Sequence, residues 1–261
     1  MNVHICKEDN RKRLFGLISI GIDLDVCVVT ETWIKEGRAN EVVQDFDEKR
    51  YSWFSRERKH QKSHSGDGGV GILVKKNVGE ITIVKTSKEY DTMWIEINRQ
   101  GERLFFAVYM LPEGSSRDND SKAQLLELEA DILVFRKQGK VVILGDFNAR
   151  IGQQESRIIR DGKYMTFARM SQDQVSGSAI IDRGKQFVQS MNACNMIILN
   201  GIDNKGENTF ESVNKGQSTV DYIVLGDDFV IPRPTEQLTE GDVEPNFVDS
   251  SAKYVQDSTK V

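Results

Sequence analysis

Two short runs of almost unbroken apolar residues, 25–30 (DVCVVT) and 140–144 (KVVIL), each stop next to an acid, Glu31 in one case and Asp146 in the other. Runs of this length, rich in β-branched residues, mark strands covered on both faces. A carboxylate at the end of such a strand meets solvent while its backbone is held rigidly. Strand ends of this kind are where α/β folds place ligands and catalytic groups.

The rest of the chain supplies the layers that would cover those strands. Strand-like segments follow at 70–74, 81–86, 92–97 and 104–110, separated by glycine, asparagine and charged residues. Residues 121–136 carry Leu125, Leu128, Ile132 and Phe135 at helical spacing. Further helices are expected at 10–20, stopped by Gly21, and around 182–192, with strands at 196–200, 208–211 and 219–225. The polar stretch to about 178 reads as loop-rich, and the tail after Gly226 as irregular. Hairpins mixed with helical crossovers imply a layered α/β arrangement rather than a doubly wound sheet.

Bulk properties narrow the function classes. The length of 261 residues suits one large α/β unit, and 38% hydrophobic with 29% charged residues is ordinary for a globular protein. A net charge of −5 argues against coating nucleic acid by charge alone, while leaving room for local basic loops. Cys6, Cys27 and Cys194 are scattered without metal-ligand spacing, which reads as free thiols in a reducing compartment, nuclear or cytoplasmic. Neither a signal peptide nor a bilayer-length apolar run is visible, so no membrane is expected. Nothing in the sequence points to a protein partner.

A strand-end acid by itself is more often a cap or turn residue than a site residue. Here there is more than one. Asn148 lies two residues beyond Asp146, and Asp221 sits inside STVDYIVL, where β-branched neighbours should bury it. A carboxylate there needs a metal, a cation or a hydrogen-bond donor. Converging oxygen ligands would suit Mg²⁺, which takes few carboxylates and several waters.

These residues carry a resemblance. Thr30-Glu31-Thr32-Trp33 resembles the ETW metal-ligand motif of the endonuclease/exonuclease/phosphatase superfamily, Gly145 to Ala149 its GDFNA motif, and Asp221-Tyr222 its DY motif. Tyr109 and Pro112 in AVYMLPEG resemble its YxP segment with one extra residue, and Asn2-Val3 the end of its first strand. GGVGILV, GDFNARIG and STVDYIVL are similar to the endonuclease domains of non-LTR retrotransposons, elements in which a reverse transcriptase follows, and to craniofacial development protein 2-like proteins. The resemblance spans roughly residues 2–225.

It implies a DNase I-like fold, α/β (α+β): a four-layer sandwich of two mixed β-sheets flanked by helices. Residues 1–225 would form the domain and 226–261 a polar tail. It also implies divalent-metal-dependent phosphodiester hydrolysis with DNA as substrate. Glu31 would hold Mg²⁺ or Mn²⁺, with Asn2 lending a polar contact. Asp146 would orient or deprotonate the attacking water, Asn148 would fix Asp146 and the phosphate, and Tyr109 would donate to a phosphate oxygen.

The chain departs from the family pattern near its end. The family closes with an SDH motif on a last strand, whose His meets the scissile phosphate and is oriented by the DY aspartate. The histidines here are His4, His60 and His64, and the corresponding region reads Asn246 to Ser251. The fold is therefore expected to be C-terminally incomplete and Asp221 to lack its family partner. Residues 49–62 mix bases with Tyr51, Trp53 and Phe54, which fits either a loop on a phosphate backbone or a hairpin whose aromatics belong to the core. The resemblance tilts this segment toward DNA, naming Arg56, Arg58 and Lys59, and adds Thr209-Phe210 as a substrate-side pair. A nuclease of weak or lost activity, a silent relic that binds or scaffolds, and a phosphatase of small phosphoesters are the readings left.

Overall fold

The computed structural model describes residues 24–32, 34, 37, 50–57, 68–87, 91–111, 118–171, 182–202, 206, 208–212 and 216–229. The helix expected over 10–20, together with Asn2, Trp33, Arg58, Lys59, Pro112, the three histidines and the tail beyond 229, lies outside them. The described residues fall into two compact units, one within 1–148 plus 221–223, the other within 149–220 plus 224–261.

In the first unit, β1 (Val26–Thr30), β2 (Tyr51–Arg56) and β3 (Val70–Lys75) form an antiparallel sheet in the order β1-β3-β2. The central strand β3 is buried from Val70 to Val74. Gly71 leaves the space that the Trp53 indole fills, since a Cβ there would strike the ring. Of the two readings open for the basic, aromatic stretch, residues 51–56 take the core one: Tyr51 is buried and Trp53 packs across its own sheet.

The second sheet begins as a meander, β4 (Glu80–Thr86), β5 (Asp91–Arg99) and β6 (Glu102–Met110). The chain then crosses over through α1 (Asp118–Phe135) to β7 (Lys140–Asp146), which is parallel to β6. A parallel pair requires such a crossover. On the other side β13 (Asp221–Gly226) flanks β7. This sheet is mixed, as expected, whereas the three described strands of the first are all antiparallel. The α1 helix buries Leu125, Leu128 and Ile132, each contributing about 1.5–3 kcal/mol relative to exposure. Phe135 meets Trp94 and Phe105 at ring distances of 4.7 and 4.8 Å.

The outer strand β4 carries a register shift between Ile83 and Lys85, and the Lys85 ammonium binds Asp131 (2.7 Å) and Glu127 (2.8 Å) of α1. Bulges and lysines are common means of protecting a sheet edge from adventitious pairing. Across the β5–β6 hairpin, Arg103 holds Glu96 through two bonds of 2.6 and 2.9 Å.

The second unit contains the β8 (Ser156–Arg160)–β9 (Lys163–Phe167) hairpin, α2 (Asp182–Ala193), β10 (Met196–Ile198), and a short hairpin of β11 (Phe210–Ser212) and β12 (Gly216–Ser218). β10 pairs antiparallel with residues 224–226 of β13. Ile158, Phe167, Ile197 and Ile202 form a core cluster. The β8–β9 hairpin corrects the loop-rich reading of this stretch. Its signal was Asp161-Gly162, both left-handed (φ 52° and 75°), as a two-residue hairpin turn requires.

The edge of β8 facing away from β9 is completed by side chains rather than by a strand. Asn192 Oδ1 accepts from the Arg157 amide (2.8 Å). Asn195 accepts from the Ile159 amide (2.5 Å) and donates to the Ile159 carbonyl (2.8 Å) and to Asp227 (2.5 Å). Asn195 is itself left-handed (φ 59°) just past the end of α2, where asparagine is tolerated.

These contacts set the cost of losing Asn195. Asn195→Ala should lower unfolding stability by about 1–3 kcal/mol in urea titration. Asn195→Gly, which relieves the backbone but also deletes the bonds, should not rescue it. Separately, the Arg103 hydrogen bonds hold the Glu96 carboxyl below its ordinary value. That contribution is present above the unfolded value and lost as pH falls through the folded one. Melting curves of Glu96→Gln and wild type should therefore differ near about pH 7 and converge toward about pH 2.

Candidate active site

Strand register brings the acids of the first unit to one end. In the first sheet Thr30, Val70 and Arg56 lie in one row. In the second, Asp91, Met110 and Asp146 lie in another. The rows are joined by Arg56, which donates to Asp91 Oδ1 at 2.5 Å. Across the interface β1 packs on β6 and β7, while β2 packs on β5. Glu31, the residue after β1, and Asp146, the last of β7, therefore sit at the same end of facing strands, in sheets that pack about 10 Å apart.

Glu31 is half-buried, and its backbone is left-handed (φ 53°), an uncommon state for a residue other than glycine. The next residue is anchored. The Thr32 amide donates to the Gly69 carbonyl (3.1 Å), and the Gly69 amide donates to Asp91 Oδ1 (3.3 Å). Gly69 is left-handed (φ 83°), and a Cβ there would meet Thr32 Oγ1 at 2.6 Å.

Asp146 is 3% exposed, and its Oδ1 accepts from the Asn148 amide (2.8 Å). Asn148, also left-handed (φ 44°), donates from Nδ2 to the Leu111 carbonyl (2.8 Å). The Leu111 amide in turn donates to the Asp146 carbonyl (2.9 Å). The Gly145–Asn148 turn is thus bonded to the end of β6 at two points. Gly145 itself has no alternative: its φ is 152°, and a Cβ would run into the Tyr109 carbonyl.

Phe147 is fully buried and stacks on Tyr109 (5.6 Å, 18°) and against Tyr222 (6.2 Å). That contact brings the start of β13, with half-buried Asp221, to this end as well. Strand alternation turns Asp221 to the face opposite Tyr222.

Two residues singled out from sequence stand differently in the structure. Tyr109 pairs with Thr92 and Gly145, on the helix side of the sheet. Its hydroxyl is buried and donates to the Gln124 carbonyl of α1. Burial pushes the Tyr109 phenol well above its usual range, with Glu127 adding to the shift. Side chains alternate along a strand, so Met110, in register with Asp146, shares its face and Tyr109 does not. Arg56 is likewise turned inward. Its side chain is 10% exposed, and it binds Asp91 and the Ser87 carbonyl (2.7 Å).

Thr209, in the second unit, is exposed; its Oγ1 accepts from the Val220 amide (3.1 Å), and Phe210 opens β11. Two residues that sequence reasoning missed are Asp91 and Gln124. Gln124 lies in the α1 stripe between Ser121 and Leu128, and a polar residue at that spacing was its signal. Asp91 gave none.

Among the described residues no three His, Cys, Asp or Glu side chains gather to cage a metal. The side chains at this end, Glu31, Asp146 and Asn148, offer hard oxygen donors of the kind Mg²⁺ takes together with several waters, rather than the Cys and His set of a structural zinc site.

The sequence matches the Endonuclease/Exonuclease/phosphatase family over residues 7–250, and the chain belongs to that family. Solved structures share the fold. The endonuclease domain of TRAS1, a telomere-specific non-LTR retrotransposon, is 14% identical with a TM-score of 0.55, covering 90% of this chain and 89% of its own. D. rerio TDP2 complexed with single strand DNA product is 14% identical (TM-score 0.54, 86% and 81% covered). The 3'-5' exonuclease NExo from Neisseria meningitidis is 13% identical (TM-score 0.55, 86% and 84%). No curated protein sequence matches the chain. Among the described residues no helix is long and apolar enough to cross a membrane.

The inward placement of Arg56 makes its loss a stability defect. Arg56→Ala leaves Asp91 buried without its cation and should destabilise by about 3–5 kcal/mol in denaturant titration. A residue serving only to grip substrate would leave the unfolding midpoint unchanged.

Proposed function

We propose that this chain is a divalent-metal-dependent phosphodiesterase that cleaves DNA, an endonuclease of retroelement derivation, with residues 1–225 as the working domain. The observation that carries the proposal is that β1 and β7, which end at Glu31 and Asp146, pack on one another, with Asp146 bonded to the Asn148 amide. The motifs GGVGILV, GDFNARIG and STVDYIVL support the retroelement origin, and the TRAS1 endonuclease domain has the same fold. TDP2 with its DNA product supports DNA as partner. Cys27 and Cys194, both present as thiols, support an intracellular setting, nuclear or cytoplasmic.

Glu31, with Asn2, would hold Mg²⁺ or Mn²⁺; when bound, the ion supplies charge stabilisation at the phosphoryl oxygens. Asp146 accepts the proton of the attacking water as its oxygen bonds to phosphorus, and the bond from phosphorus to the leaving oxygen breaks. Asn148 keeps the Asp146 carboxylate oriented through its amide, and Asp221 adds a further acid at this end. Tyr109 supports the turn from behind through its ring. Arg58 and Lys59, with Thr209 and Phe210, are the proposed contacts to the nucleic acid.

The Tyr109 hydroxyl, bonded to α1 instead of facing Asp146, favours a second reading: a catalytically silent module that binds or scaffolds. Supercoiled-plasmid nicking with Mg²⁺ or Mn²⁺ separates the two. The nuclease reading expects nicking that EDTA abolishes and that Glu31→Ala or Asp146→Asn reduces by about 100-fold or more. A folded chain that does not nick favours the silent module.

A further inference from the structure

The GDFN turn is not held by its own sheet alone. Gln124, in the second turn of α1, is 1% exposed and faces the end of β6. Its Nε2 donates to the Met110 carbonyl (3.0 Å) and to Thr92 Oγ1 (3.3 Å), while its backbone carbonyl accepts from the Tyr109 hydroxyl. The Met110 carbonyl and the Leu111 amide belong to one peptide plane. That plane receives Gln124 on one edge and donates to the Asp146 carbonyl on the other, at 2.9 Å. A donor at a peptide oxygen polarises the same peptide's N–H and strengthens the bond it gives. The next carbonyl, that of Leu111, accepts the Asn148 side chain. The path therefore runs from Gln124 through a single peptide plane to both residues of the turn.

We propose that Gln124 is a positioning residue: by fixing the Met110–Leu111 peptide it sets the orientation of Asp146 and Asn148, without touching substrate. The polar character of this position on a packed helix face has no use in packing. A leucine or methionine would fill the same space without a side-chain amide that needs partners, here Met110 and Thr92. The inference rests on the nuclease reading for its kinetic consequence, but its structural content does not.

The test uses the full chain with Gln124→Met, which keeps side-chain length and removes the donors. Thr92→Val serves as a control that deletes the neighbouring Thr92 bonds to Gln124 and Tyr109 but leaves the Gln124–Met110 bond. By hydrogen exchange, the Leu111 and Asn148 amides should lose about tenfold or more of their protection in Gln124→Met and keep it in Thr92→Val. Amides in the middle of the β5–β6 ladder should not change. In nicking assays kcat should fall by about tenfold or more with KM held within about twofold. In an Asp146→Asn background the same substitution should add no further loss, because the two act as one unit.

Unchanged protection at Leu111 and Asn148 overturns the proposal, as does a loss that multiplies with that of Asp146→Asn. If Gln124→Met does not fold, Gln124→Glu is read in the same way; if neither folds, Gln124 is a fold residue and the proposal fails. A wild-type chain that never nicks refutes the nuclease reading, while the exchange measurement still decides the positioning role.

Discussion

The arrangement of the acids depends on the buried pair between Arg56 and Asp91. It joins the last residue of β2 to the first of β5, and so aligns the row Thr30–Val70–Arg56 with the row Asp91–Met110–Asp146. Hydrophobic attraction between two sheet faces has no direction of its own, so alignment is left to side-chain interdigitation and to polar contacts. A charge pair at their ends has one geometry. Asp91 also takes the Gly69 amide, so the same carboxylate that sets the alignment holds the segment that anchors Thr32 beside Glu31. Sheet alignment and acid placement are one constraint.

The opposite face of the second sheet plays the complementary part. Strand alternation sends Thr92, Tyr109 and Gly145 toward α1 and Asp91, Met110 and Asp146 toward the first sheet. The helix side is aromatic and dry, built on Tyr109, Phe147 and Tyr222 with Trp94, Phe105 and Phe135 nearby. Acids gather on one face while the rigidity that holds them is supplied from the other. Gly145 marks the crossing, a position where backbone replaces side chain so that β6 and β7 can close together.

Much of this was legible in the sequence. The DVCVVT and KVVIL runs gave β1 and β7 with their terminal acids, because an apolar β-branched stretch of that length has few other folds. The stripe of Leu125, Leu128 and Ile132 gave α1. Residues whose role depends on contacts distant in sequence were not legible. Arg56 looked like a surface base because its partner lies 35 positions away. Tyr109 matched a motif by type, but its face is decided by its register against β7, a contact distant in sequence. The β8–β9 hairpin was hidden for a different reason. Its apolar residues are interleaved with charged ones, and the backbone groups of its outer edge are satisfied by Asn192 and Asn195, 35 and 36 positions from their partners.

Glu31 and Asn148 share a backbone state that disfavours any side chain beyond Cα by roughly 1–2 kcal/mol. Glycine would relieve the strain at either place. At both positions the chain keeps a left-handed turn against a local preference for glycine, so the angle is imposed by the bonds around it, the Thr32–Gly69 pairing after Glu31 and the Asp146 and Leu111 contacts of Asn148.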